Sequence, residues 1–441
     1  AYDGKYMAEV NMGYNGSENF AKGHRWGFFP SIALGYNISE ESFFEPLRKV
    51  ITSMKLRGSW GLVGNDQIGG ERFIYMPTIN LSGKGFTTGI DQNYGLSGPV
   101  YTRYENNSIT WEVGEKINLG IDLQLLNSLN IVVDIFRETR RDIFQKKGTI
   151  PTYLGTGNTD VFGNLAEMKN QGLDLSIDYN KAFSKDFYMN FKGTFTYAHN
   201  EITKYDEAPK YAFQSKVGQS ANVSQGYLSN GLFLDEAEID RYNQQMGSTL
   251  GAGDIKYLNV SNMHGYGDDI VDVDDWTWIG NPTVPEIVYG FGPSFKYKNW
   301  DFSFFFQGVA KTSLFMSGFH PFGDNSLRNV LQFVANDRWS PTNQNVDAKY
   351  PRLTRKTSLN NTNPGNSGRT SDYWMRDGSF LKLKNMELGY TFKRMRFYIS
   401  GSNLLTFSKF DLWDPEQGGG SGLKYPTQRV FNVGFQMTFN N

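Results

Sequence analysis

The sequence contains no cysteine among its 441 residues. A disulfide framework, a thiolate metal site and a cysteine nucleophile are therefore excluded. It contains no apolar run of the roughly eighteen residues that a transmembrane helix needs. It has no excess charge of either sign: 44 Lys and Arg face 45 Asp and Glu, for a net charge of −1. Without a basic surplus, nucleic acid is not an expected partner. Histidine is scarce, at His24, His199, His264 and His320, and no two of them stand in a zinc-binding spacing. No G-x-S-x-G elbow occurs. The stretch 304–313 lacks the first glycine of a phosphate loop and the glycine before Lys311. On these absences the chain is read as a non-enzyme.

What the chain does have is aromatic weight and polarity together. Aromatics make up 15%, with 34 Phe, 25 Tyr and 9 Trp, beside 48 Gly. The mean hydropathy is nevertheless −0.49. A membrane β-barrel needs both, with aromatic and apolar groups facing lipid and polar groups facing a wet lumen and loops. A large secreted all-β protein would share this composition, so periodicity has to decide between them.

The periodicity is two. Tyr6, Ala8, Val10, Met12 and Tyr14 alternate with polar or small residues, and so do Phe431, Val433, Phe435, Met437 and Phe439 near the end. Between them, Trp111, Val113, Ile117, Leu119, Ile121, Leu123 and Leu125 form the longest such run. Strict alternation places apolar groups on one side of a strand and polar groups on the other. The runs reach about ten residues, the length of a tilted transmembrane strand. Short turns near 127–130, 180–186, 298–300 and 393–396 alternate with long connections near 64–107, 139–171, 199–286, 310–379 and 408–428. Short turns on one side and long loops on the other are the pattern of outer-membrane barrels. Soluble domains seldom carry unstructured loops of that length. The expected fold is all-β, a transmembrane antiparallel outer-membrane β-barrel. About twelve strands are clear, with room for roughly two to four more in 64–107 and 199–286. The last strand is expected to pair with a first strand, because an open edge in lipid leaves backbone groups unsatisfied. The opening residues already read as strand rather than leader, so the chain is expected to be part of a longer one.

Several stretches resemble the SusC/RagA family of TonB-dependent outer-membrane transporters of Bacteroidetes. They include LRGSWGLVGND at 56–66, WEVGEKINLGIDLQLLN at 111–127 and NQGLDLSIDY at 170–179. They continue with YWMRDGSFLKLKNMELGYTF at 373–392 and YISGSNLLTFSKF at 398–410. These stretches keep the family's order and cover nearly the whole chain. The resemblance implies a barrel of about twenty-two strands, of which residues 1–441 would be the C-terminal portion, with the plug lying outside it. It implies a SusD-like surface lipoprotein as a lid, energy from TonB–ExbB–ExbD acting through that plug, and contact with outer-membrane lipid. Import of oligosaccharides or peptides would follow, with the C-terminus periplasmic and the long loops extracellular. A passive porin-like barrel of about sixteen strands and a barrel-anchored surface adhesin or assembly protein are the alternatives.

Two sets of candidate residues follow. Family members often carry a calcium-loop pattern within 253–280, and here Asn259, Asp268, Asp272 and Asp275 take its places. Such spacing gathers oxygens around a hard cation. Asp269, however, stands where the pattern has its turn-forming glycine, and a solvated acidic loop is the competing reading. Trp276, Trp278, Trp374 and Trp413 fall in loops, where they are candidates to stack on cargo. Packing or an interfacial girdle is the alternative for each.

Overall fold

A computed structural model describes residues 1–151, 153, 159–242, 244–245, 250–266, 268–319, 322, 329–355, 360–361 and 370–439. The expected loops 139–171, 199–286 and 310–379 lie partly outside the described residues, and His320, Asn440 and Asn441 wholly so.

Twelve strands form one antiparallel sheet in which every neighbour in sequence is a neighbour in space. They are β1 (Tyr6–Gly16), β2 (Trp26–Asn37), β3 (Ile51–Asn65), β4 (Glu112–Leu125), β5 (Leu129–Lys146) and β6 (Phe162–Ala182). The rest are β7 (Phe187–Lys204), β8 (Ile287–Tyr297), β9 (Trp300–Ala310), β10 (Phe380–Phe392), β11 (Met395–Ser408) and β12 (Val430–Met437). The count meets the twelve strands expected. The room left for further wall strands is filled differently. Thr78–Thr88 and Tyr94–Arg103 pair as a separate hairpin, and the strands within 205–286 form small two-stranded sheets. β1 and β12 stand at the two ends of the sheet order, so β12 pairs with β11 and not with the first strand of this chain.

Three expected loop boundaries move, one of them where β7 runs on to Lys204 and the connection expected from 199 begins at 205. β5 continues to Lys146 and β6 begins at Phe162, so the connection expected over 139–171 shrinks to 147–161. The charges of 138–146 hide the strand period because they are partnered across the sheet. Arg141, for example, lies opposite Val113 and pairs with Glu115 at 3.0 Å.

The chain divides into two compact units. The first comprises Ala1–Asp178, Tyr197–Pro209 and Ser215–Ala221. Its apolar side chains line up in register across strands. Ala8, Leu34, Gly58, Leu119 and Ile135 make one row, and Tyr6, Tyr36, Leu56, Ile121 and Val133 the next. No layer of the unit covers this face: Leu119 is 61% exposed. Its small buried core lies instead in the connections, where Phe20, Ile68, Ile74, Ile109 and Trp111 pack together.

The second unit comprises Tyr179–Thr196, Lys210–Gln214 and Asn222–Asn441. Its outward rows are Phe295, Phe302, Leu388, Ile399 and Val433, then Tyr297, Trp300, Tyr390, Phe397 and Phe435. The second row is wholly aromatic and lies beside the tight turns at 298–299 and 393–394. An aromatic girdle at a membrane interface has this form. A soluble sandwich would bury such a face at about 25 cal/mol per Å2 of apolar area; here Ile399 remains 56% exposed. Among the described residues no helix is long and apolar enough to cross a membrane, and the strands carry the apolar band.

Candidate functional site

The face opposite the apolar rows is built of charge networks. In the first unit Arg57 bonds Asp122 at 2.9 Å and Asp134 at 2.8 Å. Gly120 lies beneath them, and a Cβ there would sit 2.6 Å from the Arg57 guanidinium carbon. In the second unit Arg396 joins Asp301 and Glu387 over Gly389 in the same manner. A glycine under each network lets the long side chains lie flat along the wall. These pairs satisfy charged groups that the strands direct away from the apolar band.

The long connections of the second unit are not loose. Tyr227, Tyr257, Met316, Phe322, Trp374 and Phe410 are all buried, and they come from 205–286, 311–379 and 409–429. They form the unit's main hydrophobic core, outside the sheet. Beneath that core Asp254 is wholly buried, held by Arg352 at 2.5 and 2.9 Å and by Asn361 at 2.6 Å. A buried charge is tolerated only when paired in this way. The connection 409–429 is tied to β10 by Lys382, which reaches Asp414 at 2.6 Å and Glu416 at 2.8 Å. Lys384 closes on Glu416 at 2.7 Å.

This core decides the placement of the candidate tryptophans. Trp374 is fully buried, with Phe319, Phe322, Tyr350 and Tyr373 around its ring. A ring so enclosed has no face to offer cargo, and the stacking role expected for Trp374 is corrected to packing. Trp413 is half-buried, edge-on to Phe410 at 4.5 Å and covering Gly422. Its Nε1 donates to the Gly418 carbonyl at 3.0 Å. Trp276 is half-buried and packs edge-to-face on Tyr227. Trp278 is half-buried in Thr277–Ile279, opposite Gln225. Trp276 and Trp413 pack against the same core that encloses Trp374. Sequence reasoning missed Lys382, Asp414 and Glu416, although Lys382 lies in the family-like 373–392 stretch.

The candidate cation ligands separate into two groups. Asn259 caps the helix Val260–Met263, its Oδ1 accepting from the Asn262 amide at 2.7 Å, while its Nδ2 donates to Asp268 and to the Ile270 carbonyl. Asp275 is buried and accepts from the amides of Ser261 at 2.9 Å and Asp272 at 2.7 Å. Burial pushes its carboxyl up, and these amides oppose the shift. Both residues have their oxygens committed to local structure, so they do not fit a cation. Asp268 and Asp272 do converge, with Asp274 in place of Asp275, and the three offer oxygens within 4.8 Å of one another. Lys210 is ion-paired to Asp274 and already supplies a positive charge there. The donor set thus fits calcium in part, and through a different residue from the one the spacing suggested.

Comparison with known proteins places this geometry. Residues 2–404 match the family described as TonB dependent receptor-like, beta-barrel. The chain is similar to the TonB-dependent receptor SusC of Bacteroides thetaiotaomicron, 27% identical over 462 residues, covering 99% of this chain and 42% of that protein. It is similar to the TonB-dependent receptor P3 of Formosa agariphila, 26% identical over 475 residues, covering 99% of this chain and 44% of that one. Among solved structures, the RagAB peptide transporter superposes with a TM-score of 0.71 at 21% identity, covering 99% of this chain and 46% of that one. The chain spans a little under half the length of the relatives it matches.

Proposed function

The chain belongs to the TonB-dependent receptor-like β-barrel family, as a SusC/RagA-type member, and on that premise we propose that it is the wall and loop cap of an outer-membrane nutrient importer. Its cargo is an oligosaccharide or a peptide too large for passive pores. A SusD-like surface lipoprotein sits on the long connections, and TonB–ExbB–ExbD supplies the energy through a plug. The short turns and the end of β12 face the periplasm, and the long connections face outward. No catalytic step is assigned to the chain.

The observation that supports this reading is the division of labour in the second unit. Its strands expose an apolar face, while its main hydrophobic cluster is made by residues of the long connections. A passive pore needs no such core in its loops. A docking platform for a lid does, because a partner must meet a surface of fixed shape.

The test is uptake by cells that express the full-length protein with its native neighbours. Uptake that stops when TonB is deleted or the proton-motive force is collapsed supports energised import. Uptake that persists under both conditions establishes a passive pore, and loss of surface attachment without loss of uptake establishes an adhesin. Co-purification of a surface lipoprotein with the barrel tests the lid.

A further inference from the structure

The second unit holds a cavity of about 620 Å3 on the polar face of the sheet. Its floor is Gln307 and Val309 of β9 with Phe380 of β10, side chains that share the face of Lys382. Its wall is made by Phe315 and Ser317, paired through Met316 with Gly420, together with Gly418, Gly419 and Glu416. The volume lies within the usual range for small-ligand pockets, roughly 300–1,000 Å3.

The charge on this cavity cancels. Glu416 spends its oxygens on Lys382 and Lys384, and Asp414 spends one on Lys382. Two cations and two anions are bound to one another, so a charged ligand would find no counter-charge and would lose its hydration. Two polar groups are left open: among the described residues, neither the Gln307 amide nor the Ser317 hydroxyl makes a side-chain hydrogen bond. An amide supplies two donors and an acceptor, and a hydroxyl supplies one donor and two lone pairs. The half-buried ring of Phe315, with the buried Phe380 ring beneath it, gives the apolar surface against which a flat, weakly polar face can pack. Gly419 is closed to any side chain, since its Cβ would meet the Phe315 carbonyl at 2.4 Å.

We propose that this cavity is a binding subsite for an uncharged, polyhydroxylated unit such as one neutral sugar residue, held by Gln307 and Ser317 against Phe315 and Phe380. The assignment rests on the import reading above, in which this face lines the path of cargo. Ionised units, whether acidic sugars or charged peptide side chains, are excluded by the self-compensated lysines and carboxylates.

The test uses the full-length complex purified from outer membranes. Binding is measured by native mass spectrometry with a pool of neutral hexose hexasaccharides, a pool of uronic acid oligosaccharides and a pool of neutral Ala–Ser–Gly peptides of matched mass. Val309→Trp fills the floor without touching the ion pairs, and Gln307→Ala removes the amide. Both variants must reach the outer membrane at wild-type levels with wild-type heat-modified mobility; if Val309→Trp does not, Gln307→Ala and Ser317→Ala carry the test. The expected result is saccharide binding that falls at least tenfold in the variants and is absent for the other two pools. Three results overturn the subsite: no neutral saccharide bound, binding unchanged by the variants, or preference for the peptides or the acidic pool. Uptake of the native nutrient, followed in the same strains, separates the two readings. Wild-type uptake in Val309→Trp discards the subsite and leaves import standing, whereas no energised uptake in the wild type discards import itself.

Discussion

The Lys382 ammonium donates to Asp414 at 2.6 Å from a position where its side chain is only 1% exposed. The lysine belongs to a wall strand and the aspartate to a long connection, so one buried ion pair fastens the loop layer to the sheet. The pair gains its worth from Glu416, which satisfies a second ammonium proton at 2.8 Å. Lys382→Met should leave Asp414 and Glu416 facing each other without their buried counter-ion. The expected local cost is on the order of 3 kcal/mol. Hydrogen exchange should quicken in 409–429 and stay unchanged in β11. Lys384→Met, at a more exposed site, should cost at most about 1 kcal/mol. Equal effects from the two variants would refute the clamp.

The same clamp should respond to acid. Burial pushes the Asp414 and Glu416 carboxyls up, but Lys382, with the Glu416 amide and Thr427 on Asp414 and with Lys384 on Glu416, together outweighs it and holds both below their ordinary values of 3.8 and 4.5. A carboxylate with a depressed native pKa stabilises the fold above its unfolded pKa and loses that contribution as pH falls through the native one. Protection in 409–429, measured against the intrinsic exchange rate at each pH, should therefore be flat from neutral pH down to about pH 5 and fall below roughly pH 4. Lys382→Met should weaken the transition, because the lysine that lowers both carboxyls is gone.

The outward face offers a test of the membrane reading. Ile399 lies mid-row between Leu388 and Val433, and Ser400 beside it points to the opposite face, across from Glu387. Ile399→Arg should lower stability in lipid by about 2–4 kcal/mol. Ser400→Arg should cost much less, because its side chain meets the polar face, where Glu387, already paired with Arg396, can share a second cation. The thermal midpoint of the heat-modified band on electrophoresis reports both. A larger effect at Ser400 would reverse the assignment of the two faces.

Glycines in the wall are not equivalent. At Gly292 of β8 a Cβ would lie 2.0 Å from the Phe304 carbonyl and 2.8 Å from the Phe305 Cα. Backbone must move to admit it, so Gly292→Ala should cost on the order of 2–3 kcal/mol. At Gly389 the obstructing atoms are the ends of the Asp301 and Arg396 side chains, which can swing away. Gly389→Ala should loosen that ion network at a cost nearer 1 kcal/mol. Thermal unfolding in detergent ranks the two, and the reverse order would contradict this account.

The wall was legible in the sequence because a strand's period is two and nothing else produces it over ten residues. Val433, Phe435 and Met437 declare their face without reference to any other segment. The loop core was not legible. Tyr227, Met316, Trp374 and Phe410 meet from three connections, and no local period marks residues brought together by distant segments. The sequence therefore leaves Trp374 open between stacking on cargo and packing, and the structure shows it fully enclosed. The strand extension at 139–146 was hidden for a different reason. Its charges look like loop until their partners Glu115 and Glu138 are seen on the sheet. In the acidic loop, spacing cannot say which of Asp274 and Asp275 turns inward to cap a helical turn.

That last distinction makes the proposal of calcium in this loop testable. Asp275 accepts two backbone amides and is wholly buried, so its role is to hold the turn. Asp268, Asp272 and Asp274 bring one carboxylate oxygen each within 4.8 Å of one another. In a calcium titration of the full-length protein, Asp268→Asn should weaken binding and leave the loop folded. Asp275→Ala should raise hydrogen exchange across 253–280 whether calcium is present or not, since it orphans the amides of Ser261 and Asp272 at about 1–3 kcal/mol each. Lys210 competes for the same carboxylates, so Lys210→Met should tighten calcium binding about tenfold, equivalent to roughly 1.4 kcal/mol. No calcium uptake by Lys210→Met would leave the three aspartates as a solvated acidic surface, neutralised in the native chain by Lys210 alone.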